Sequence, residues 1–510
     1  MKKVKIVLAI VLCLAFILPL FASCGSADDK KDDGSSTTAA AEDSSGETTP
    51  TEAKDPDAPD LPVTDMDGKT FTVLTAGWGV GSNLAKDVGA EEQTGDPIDD
   101  AAFDRRVKLE QLYNCKIKQI NEEDNTEAVN KYRTSILAGD GSYDFAITTC
   151  SNFTSLLSGN LLLDLNQLTH VDMDKPYWDR NFYDSMSILG KNFAASGDIS
   201  KRRLECVWIM CFNKKMITDN QLESPYDLVK NGQWTYDKMH EMGKHVAKDL
   251  NGDSVMTLED DLWGINYTGD TIMGIINSSG VKIAEVNSDG IPELTIGLET
   301  NLEKLLRIYT EMRDHTYSID TLFMVGGGLT GLGDVDLFAE NRCLFLACAT
   351  HNVRTGGENN TNSLRQMDVE FGIIPYPKWD LSQSDYTPYT AGNYHPVISV
   401  PSTNDDIDNT GIIMEAMAYE GRKTITPAFY ESLLKTKTAR DVESLDMLDF
   451  IFGNLSYDIG NMYNFGEITG VFGYAMSTNI RQNVVSTITR ESGKWQKAID
   501  NLVTEIEKGE

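Results

Sequence analysis

The sequence predicts an α/β protein whose body divides into two lobes, each a mainly parallel sheet flanked by helices, with a helical C-terminal region. Three observations lead there. Strand-like and helix-like segments alternate from Thr70 to Thr148, the rhythm of a parallel sheet covered by helices on both faces. The body holds about 450 residues, more than one hydrophobic core ordinarily serves. From Asn409 onward the pattern is helical almost to the end of the chain.

The elements begin with an export signal. Met1-Lys2-Lys3-Val4-Lys5 is basic, and Ile6 to Leu20 is an apolar run too short for a comfortable bilayer span, ending in Phe21-Ala22-Ser23-Cys24. This end resembles the bacterial lipobox, with Phe21 where that pattern usually has Leu; the resemblance implies that residues 1–23 are removed and Cys24 is diacylated. Two acyl chains, at about 0.8 kcal/mol per buried methylene, hold a protein stably on a membrane. The expected location is the extracellular face of the cell membrane. Gly25 to about Asp60 is Ser, Thr, Ala, Asp and Glu with Pro50, Pro56 and Pro59. Too little apolar surface is present to offset ordering entropy, so residues 24–62 are expected to be a disordered acidic leash. A coil of about 36 residues reaches about 30–36 Å.

The body opens with Thr70–Thr75, a β-branched run feeding Ala76-Gly77-Trp78-Gly79. Asp99–Tyr113 reads as an amphipathic helix, Cys115–Ile120 as a strand, Thr126–Ala138 as a helix stopped at Gly139, and Tyr143–Thr148 as a buried strand. In open sheets of this kind ligands bind beyond the carboxyl ends of the strands, which puts Trp78, Thr149, Ser151 and Asn152 at a candidate rim. Leu204–Phe212 is strongly apolar and strand-like, soon after a crossing point between lobes at Gly197-Asp198-Ile199. A helix starts near Trp234, another spans Asn301–Asp314, and strands are expected at Cys343–Ala347, Phe371–Pro377 and Val397–Pro401. Helices follow at Ile412–Glu420, Ser444–Phe452 and Gly493–Lys508. The lobes are expected to be 63–200 with 396–428, and 201–395 with 429–510.

A net charge of −33 argues against nucleic-acid phosphates or an anionic membrane surface as the main partner. Cys115, Cys150, Cys206, Cys211, Cys343 and Cys348 remain in the body; none has CxxC spacing, and buried thiols are the expectation. Two acidic side chains suffice for glycoside hydrolysis, and 78 acidic residues always offer pairs, so their presence decides nothing. No GxSxG, HExxH, P-loop or dinucleotide fingerprint stands where a strand and helix would support it.

Several stretches then carry a family likeness. Tyr143-Asp144-Phe145 is followed one helix later by Gly159-Asn160-Leu161-Leu162-Leu163-Asp164-Leu165; Cys211-Phe212-Asn213-Lys214-Lys215 resembles a strand ending in Tyr-Asn-Lys. Trp234-Thr235-Tyr236-Asp237 resembles a Trp-Thr-Trp-Asp helix start, with Thr235 as cap. Phe338-Ala339-Glu340-Asn341-Arg342-Cys343-Leu344-Phe345 resembles Phe-x-x-Gly-x-x-Ala-Met, with Asn341 in the glycine's place; Ile374-Pro375-Tyr376-Pro377 and Pro401 are also typical. In this order, from about Asp67 to Lys508, the sequence resembles the extracellular solute-binding proteins of bacterial ABC importers, family 1, sugar type. The resemblance implies a type II periplasmic-binding-protein-like fold, a monomer that closes on a solute by hinge motion and docks on permease subunits, and no catalysis. Placed by the family layout, Trp78, Asn152, Tyr267, His351, Asn352 and Phe465 are the cleft candidates, suited to a carbohydrate or oligosaccharide whose apolar face stacks on aromatics and whose hydroxyls meet polar side chains. Core packing competes for each aromatic. The alternatives are a lipid-anchored glycoside hydrolase, or a binding protein for peptides or another non-sugar solute.

Asp249 to Asp260 reads as a twelve-residue calcium loop. Asp249, Asn251, Asp253, Thr257 and Asp260 place oxygens at positions 1, 3, 5, 9 and 12, and Val255 offers its carbonyl at position 7. Ser254 replaces the usual Gly at position 6, and Asp260 the usual Glu at position 12. A structural Ca²⁺ is the expectation, with a polar loop that binds nothing as the competing reading.

Overall fold

The first segment to leave the expected pattern is the leash itself. In the computed structural model its last residues lie on the body: the Asp55 carboxylate accepts from the Tyr419 hydroxyl at 2.8 Å, and Lys175 Nζ donates to the carbonyls of Pro56 and Ala58, both at 3.4 Å. Ion pairing and hydrogen bonds hold what composition alone reads as coil. The structure describes residues 55–77, 88–89, 91–269, 271–321, 335–355, 364, 367–390, 392, 394–434, 441–473 and 484–508. Cys24, the export signal and Trp78 lie outside them.

The first sheet is built from β1 (Thr70–Ala76), β2 (Lys116–Glu122), β3 (Phe145–Thr149) and β11 (Pro396–Ser399), in the order β11-β3-β1-β2. β1 is parallel to β2 and β3, while β11 returns antiparallel beside β3. The period of two in β1 is visible in its packing. Phe71 and Val73 join one apolar cluster with Phe145, Ile147, Leu109 and Met417, while Leu74 and Ala76 join the other with Ala146 and Tyr132. Both faces are therefore buried, as the strand–helix rhythm requires. Helix α1 (Pro97–Tyr113) starts on Asp96, whose side chain accepts from the amides of Ile98 and Asp99, with Pro97 at its first turn. Helix α2 (Asn125–Ala138) stops at Gly139, as expected.

The second sheet has the order β10-β4-β9-β5-β8, from β4 (Trp208–Asn213), β5 (Trp263–Tyr267), β8 (Ser318–Asp320), β9 (Cys343–Ala349) and β10 (Phe371–Ile374). β5 is parallel to β8 and β9, whereas β4 runs antiparallel to β9 and β10, so this sheet is mixed. A small hairpin joins β6 (Ala284–Val286) and β7 (Pro292–Leu294). The apolar run from Leu204 is not one strand. Arg202–Glu205 forms a helical turn, and Cys206 precedes β4 rather than lying in it. The strand expected at 371–377 ends early, at Ile374, because Pro375 cannot donate to a ladder, and the one expected at 397–401 spans Pro396–Ser399, after which Val400 and Pro401 turn to the segment Leu162–Leu163. Tyr236–Val246 is capped by Thr235, which accepts from the Lys238 amide at 3.3 Å.

The helix expected from Asn301 spans Glu299–Glu311; Leu305, Ile308, Tyr309 and Met312 are buried, while Leu306, a hundred degrees round, is half exposed. The C-terminal helices are longer than their signals. α3 (Ile407–Leu434) contains Pro427, which removes one internal hydrogen bond, and α4 (Val442–Gly453) and α5 (Val484–Lys508) follow. Asp55–Glu510 forms one compact unit, in which Trp208 and Trp495 are both buried. The six body cysteines are buried, and no disulfide joins any of the described residues.

Candidate functional site

Two of the segments by which the chain passes between the sheets pair with each other. Going out, the chain runs through Val207 into β4; coming back, it runs through Thr390 to β11, and these two residues form an antiparallel bridge. The Trp208 amide donates to the Tyr389 carbonyl at 2.9 Å, and the Thr390 hydroxyl to the Cys206 carbonyl at 3.1 Å. The strand ends meet the same two segments. Just past β3, the Cys150 amide donates to the His395 carbonyl at 3.1 Å; just past β9, the Thr350 amide donates to the Val207 carbonyl at 2.9 Å. Parallel pairing carries the ends of β5 and β8, Tyr267 beside Asp320, to the edge where β9 ends. The carboxyl edges of both sheets thus border one shared pair of crossing strands.

The crossing carries buried charge. Lys201 pairs with Asp99 at 3.0 Å, Arg203 with Asp198 at 2.5 Å, and Glu205 with Arg354 of the helix after β9 at 2.6 Å. Removing one member of such a pair leaves an uncompensated buried charge, so each pins the crossing to a particular neighbour. Five of the eight residues from Asp198 to Glu205 are charged, directly before an apolar strand, and that run is the sequence signal of a polar junction. His395 completes the junction, with Nδ1 3.2 Å from Thr390 Oγ1 and Nε2 2.9 Å from Ser196 Oγ. Burial and the nearby Arg203 push its pKa down to about 3, so the ring is neutral.

Of the cleft candidates, Asn152 is half-buried at the first edge, its Nδ2 donating to Thr126 Oγ1 at 3.1 Å. His351 is half-buried at the second edge, and Tyr267 ends β5 there with 1% exposure. Asn352 is buried, and its Oδ1 accepts from the Ala349 amide at 2.9 Å, closing the turn from strand to helix. Phe465 is buried edge-to-face against Tyr463, which in turn stacks on Phe153. Trp78 lies outside the described residues. The structure therefore brings Asn152, Tyr267, His351 and Asn352 to the two bordering edges, where Tyr267 and Asn352 are as fully buried as Phe465.

The acidic loop forms a wrapped turn. At its first position, the Asp249 carboxylate accepts from the amides of Gly252 and Ser254, both at 2.7 Å, and Ser254 takes φ +68°, the conformation glycine usually supplies there. Asp260 is exposed, whereas Asp261 is buried and accepts from the amides of Leu250 at 2.8 Å and Thr257 at 2.6 Å. Among the described residues, no three His, Cys, Asp or Glu side chains converge in a metal-ligand group; Asn, Thr and carbonyl oxygens would have to complete a hard-cation shell here.

A sheet with three parallel strands, an antiparallel fourth strand donated from far along the chain, and two paired crossing segments to a second sheet is a specific topology. The chain has the two-lobed type II periplasmic-binding-protein fold. Its likeness to M. tuberculosis UspC has a TM-score of 0.53 at 10% identity, covering 84% of this chain and 100% of that one. The ABC substrate-binding protein Lmo0181 from Listeria monocytogenes, solved with cycloalternan, is similar at TM-score 0.50 and 13% identity over 86% of this chain and 100% of that one. The GacH receptor of Streptomyces glaucescens, solved with and without acarbose, is similar at 0.50 and 12% over 86% and 98%. No protein-family model and no curated protein matches the sequence. Asn341, which stands where the similar motif has glycine, takes φ +60°, a left-handed position that Asn tolerates better than most residues.

Proposed function

We propose that this protein is the substrate-binding subunit of an ABC importer, tethered outside the cell through Cys24 and capturing a carbohydrate or oligosaccharide between its lobes. The observation that carries the reading is the meeting of both carboxyl edges on one pair of crossing strands, Val207 and Thr390. That arrangement lets two rigid sheets approach each other by changing a few backbone angles. Polar groups at the two edges, Asn152 and His351, are the hydrogen-bonding candidates for sugar hydroxyls. Similarity to binding proteins rather than enzymes supports capture without chemistry. The permease subunits are the expected macromolecular partner.

Calorimetry with maltooligosaccharides, other oligosaccharides and peptides, with product analysis of the same mixtures, tests this. Saturable heat with intact sugar is expected. Asn152→Ala and His351→Ala should each weaken sugar binding by about 1 kcal/mol, roughly fivefold. Cleaved sugar, or binding confined to peptides, overturns the proposal.

A further inference from the structure

A cavity of about 410 Å³ lies between residues 176–181, the crossing residues Arg203 and Leu204, the second half of α3, and α4 with the residues after it. Its volume lies in the range of small-molecule sites, about 300–1,000 Å³. Its aromatic lining is Trp178 with Tyr430 and Phe452, the latter two edge-to-face at 5.8 Å. Arg180, Arg203 and Arg422 line it together with Asp179 and Asp449, and Arg180 is already paired with Asp174 at 2.6 Å and Asp184 at 2.9 Å. Arg203 is neutralised, with Asp198 at 2.5 Å and Asp179 at 3.8 Å. Arg422 is not held in the same way: its Nη1 lies 3.5 Å from an Asp198 already engaged by Arg203, and its side chain is 45% exposed. One turn along α3, Thr426 Oγ1 is buried without a hydrogen-bond partner. The Asp449 carboxylate also lines the cavity, bonded to the Tyr430 hydroxyl, and opposes an anion there, so Arg422 must outweigh it.

We infer that this cavity is a second ligand site, taking a small organic carboxylate with a flat apolar body, held by Arg422 and Thr426 beside Trp178, Tyr430 and Phe452. A guanidinium fork suits a carboxylate, and the aromatic side suits a ring. The walls come from both ends of the crossing. If the lobes move as proposed above, a bound anion favours one lobe angle and thereby tunes solute affinity.

Benzoate is the probe, with benzamide as its uncharged match in shape, titrated into the exported chain by calorimetry and followed by saturation-transfer NMR. Benzoate should saturate with a dissociation constant on the order of 1 mM, and benzamide should bind at least about tenfold more weakly. Arg422→Gln should lose that preference. Gly453→Leu should block the cavity without strain, since a Cβ there meets no atom within 4 Å; should Arg422→Gln fail to fold, this variant still decides. Benzamide binding as tightly as benzoate, or benzoate binding unchanged by Gly453→Leu, overturns the site. The readout needs no sugar, so failure of the solute reading and failure of this one are distinct. Solution scattering reads the coupling separately: a radius of gyration unmoved by saturating benzoate overturns it.

Discussion

His395 is the residue at which the crossing is most exposed to pH. The Thr390 hydroxyl donates its only proton to the Cys206 carbonyl, so Nδ1 must carry a hydrogen and donate to Thr390, leaving Nε2 to accept from Ser196. A neutral ring satisfies both neighbours; a charged one is buried beside Arg203. Its folded pKa, about 3, lies below the ordinary value of 6.5, so between those pH values the unfolded chain binds the extra proton and stability falls as pH falls. His240, also held down to about 3 by burial and Lys244, acts in the same direction. Asp458 opposes them: burial raises it to about 6 despite four backbone amides, so from pH 6 down to 3.8 protonation favours the folded state. Each histidine costs up to about 1.4 kcal/mol per pH unit below 6.5. The melting temperature of His395→Gln should therefore fall less than wild type between pH 6.5 and 5.0, and parallel curves would remove His395 from this account.

At the scale of elements, the loop from Asp249 to Asp261 joins the helix Tyr236–Val246 to β5. We propose that it binds one Ca²⁺ that fixes this connection. Its backbone already follows a wrapped turn about Asp249, yet position 6 is Ser254 at φ +68°, a strained choice that lowers affinity relative to glycine. Calcium at a hundred times its dissociation constant should stabilise the fold by about 2.7 kcal/mol, visible as a raised melting temperature that a chelator reverses. Asp249→Ala should abolish the response. A transition indifferent to both calcium and chelator would mark the loop as a polar turn. The wrapped turn was legible because oxygen-bearing side chains recur there at fixed spacing. The switch from exposed Asp260 to buried Asp261 was not, since adjacent aspartates carry the same chemistry and only the chain's path tells them apart.

For the whole molecule, the decisive contacts lie between parts distant in sequence. A Cβ at Gly421 of α3 would sit 2.0 Å from the Asp198 carbonyl oxygen and 3.0 Å from Arg105 Nη1, where α3, α1 and the outgoing crossing meet. Arg105 bonds the Ile199 carbonyl at 3.0 Å and the Met417 carbonyl at 3.2 Å in the same place. Gly421→Ala should cost about 1–3 kcal/mol through this overlap, lowering the melting temperature, while an unchanged transition would show that α3 can shift freely. By itself the sequence determined the α/β class, the first sheet's strand–helix order, the caps at Thr235 and Gly139 and the family likeness, because periodicity and cap chemistry are local. It passed over β5 and β8, which are short and contain polar residues such as Asn266 and Asp320, and it merged Leu204 and Cys206 with β4 because they continue its apolar run, although Leu204 belongs to the charged turn Arg202–Glu205. Only the tertiary structure decided that β11 joins β3 across more than two hundred residues, that Val207 meets Thr390, and that three arginines share one cavity. Such pairings depend on where the chain returns in space, and no local spacing encodes that.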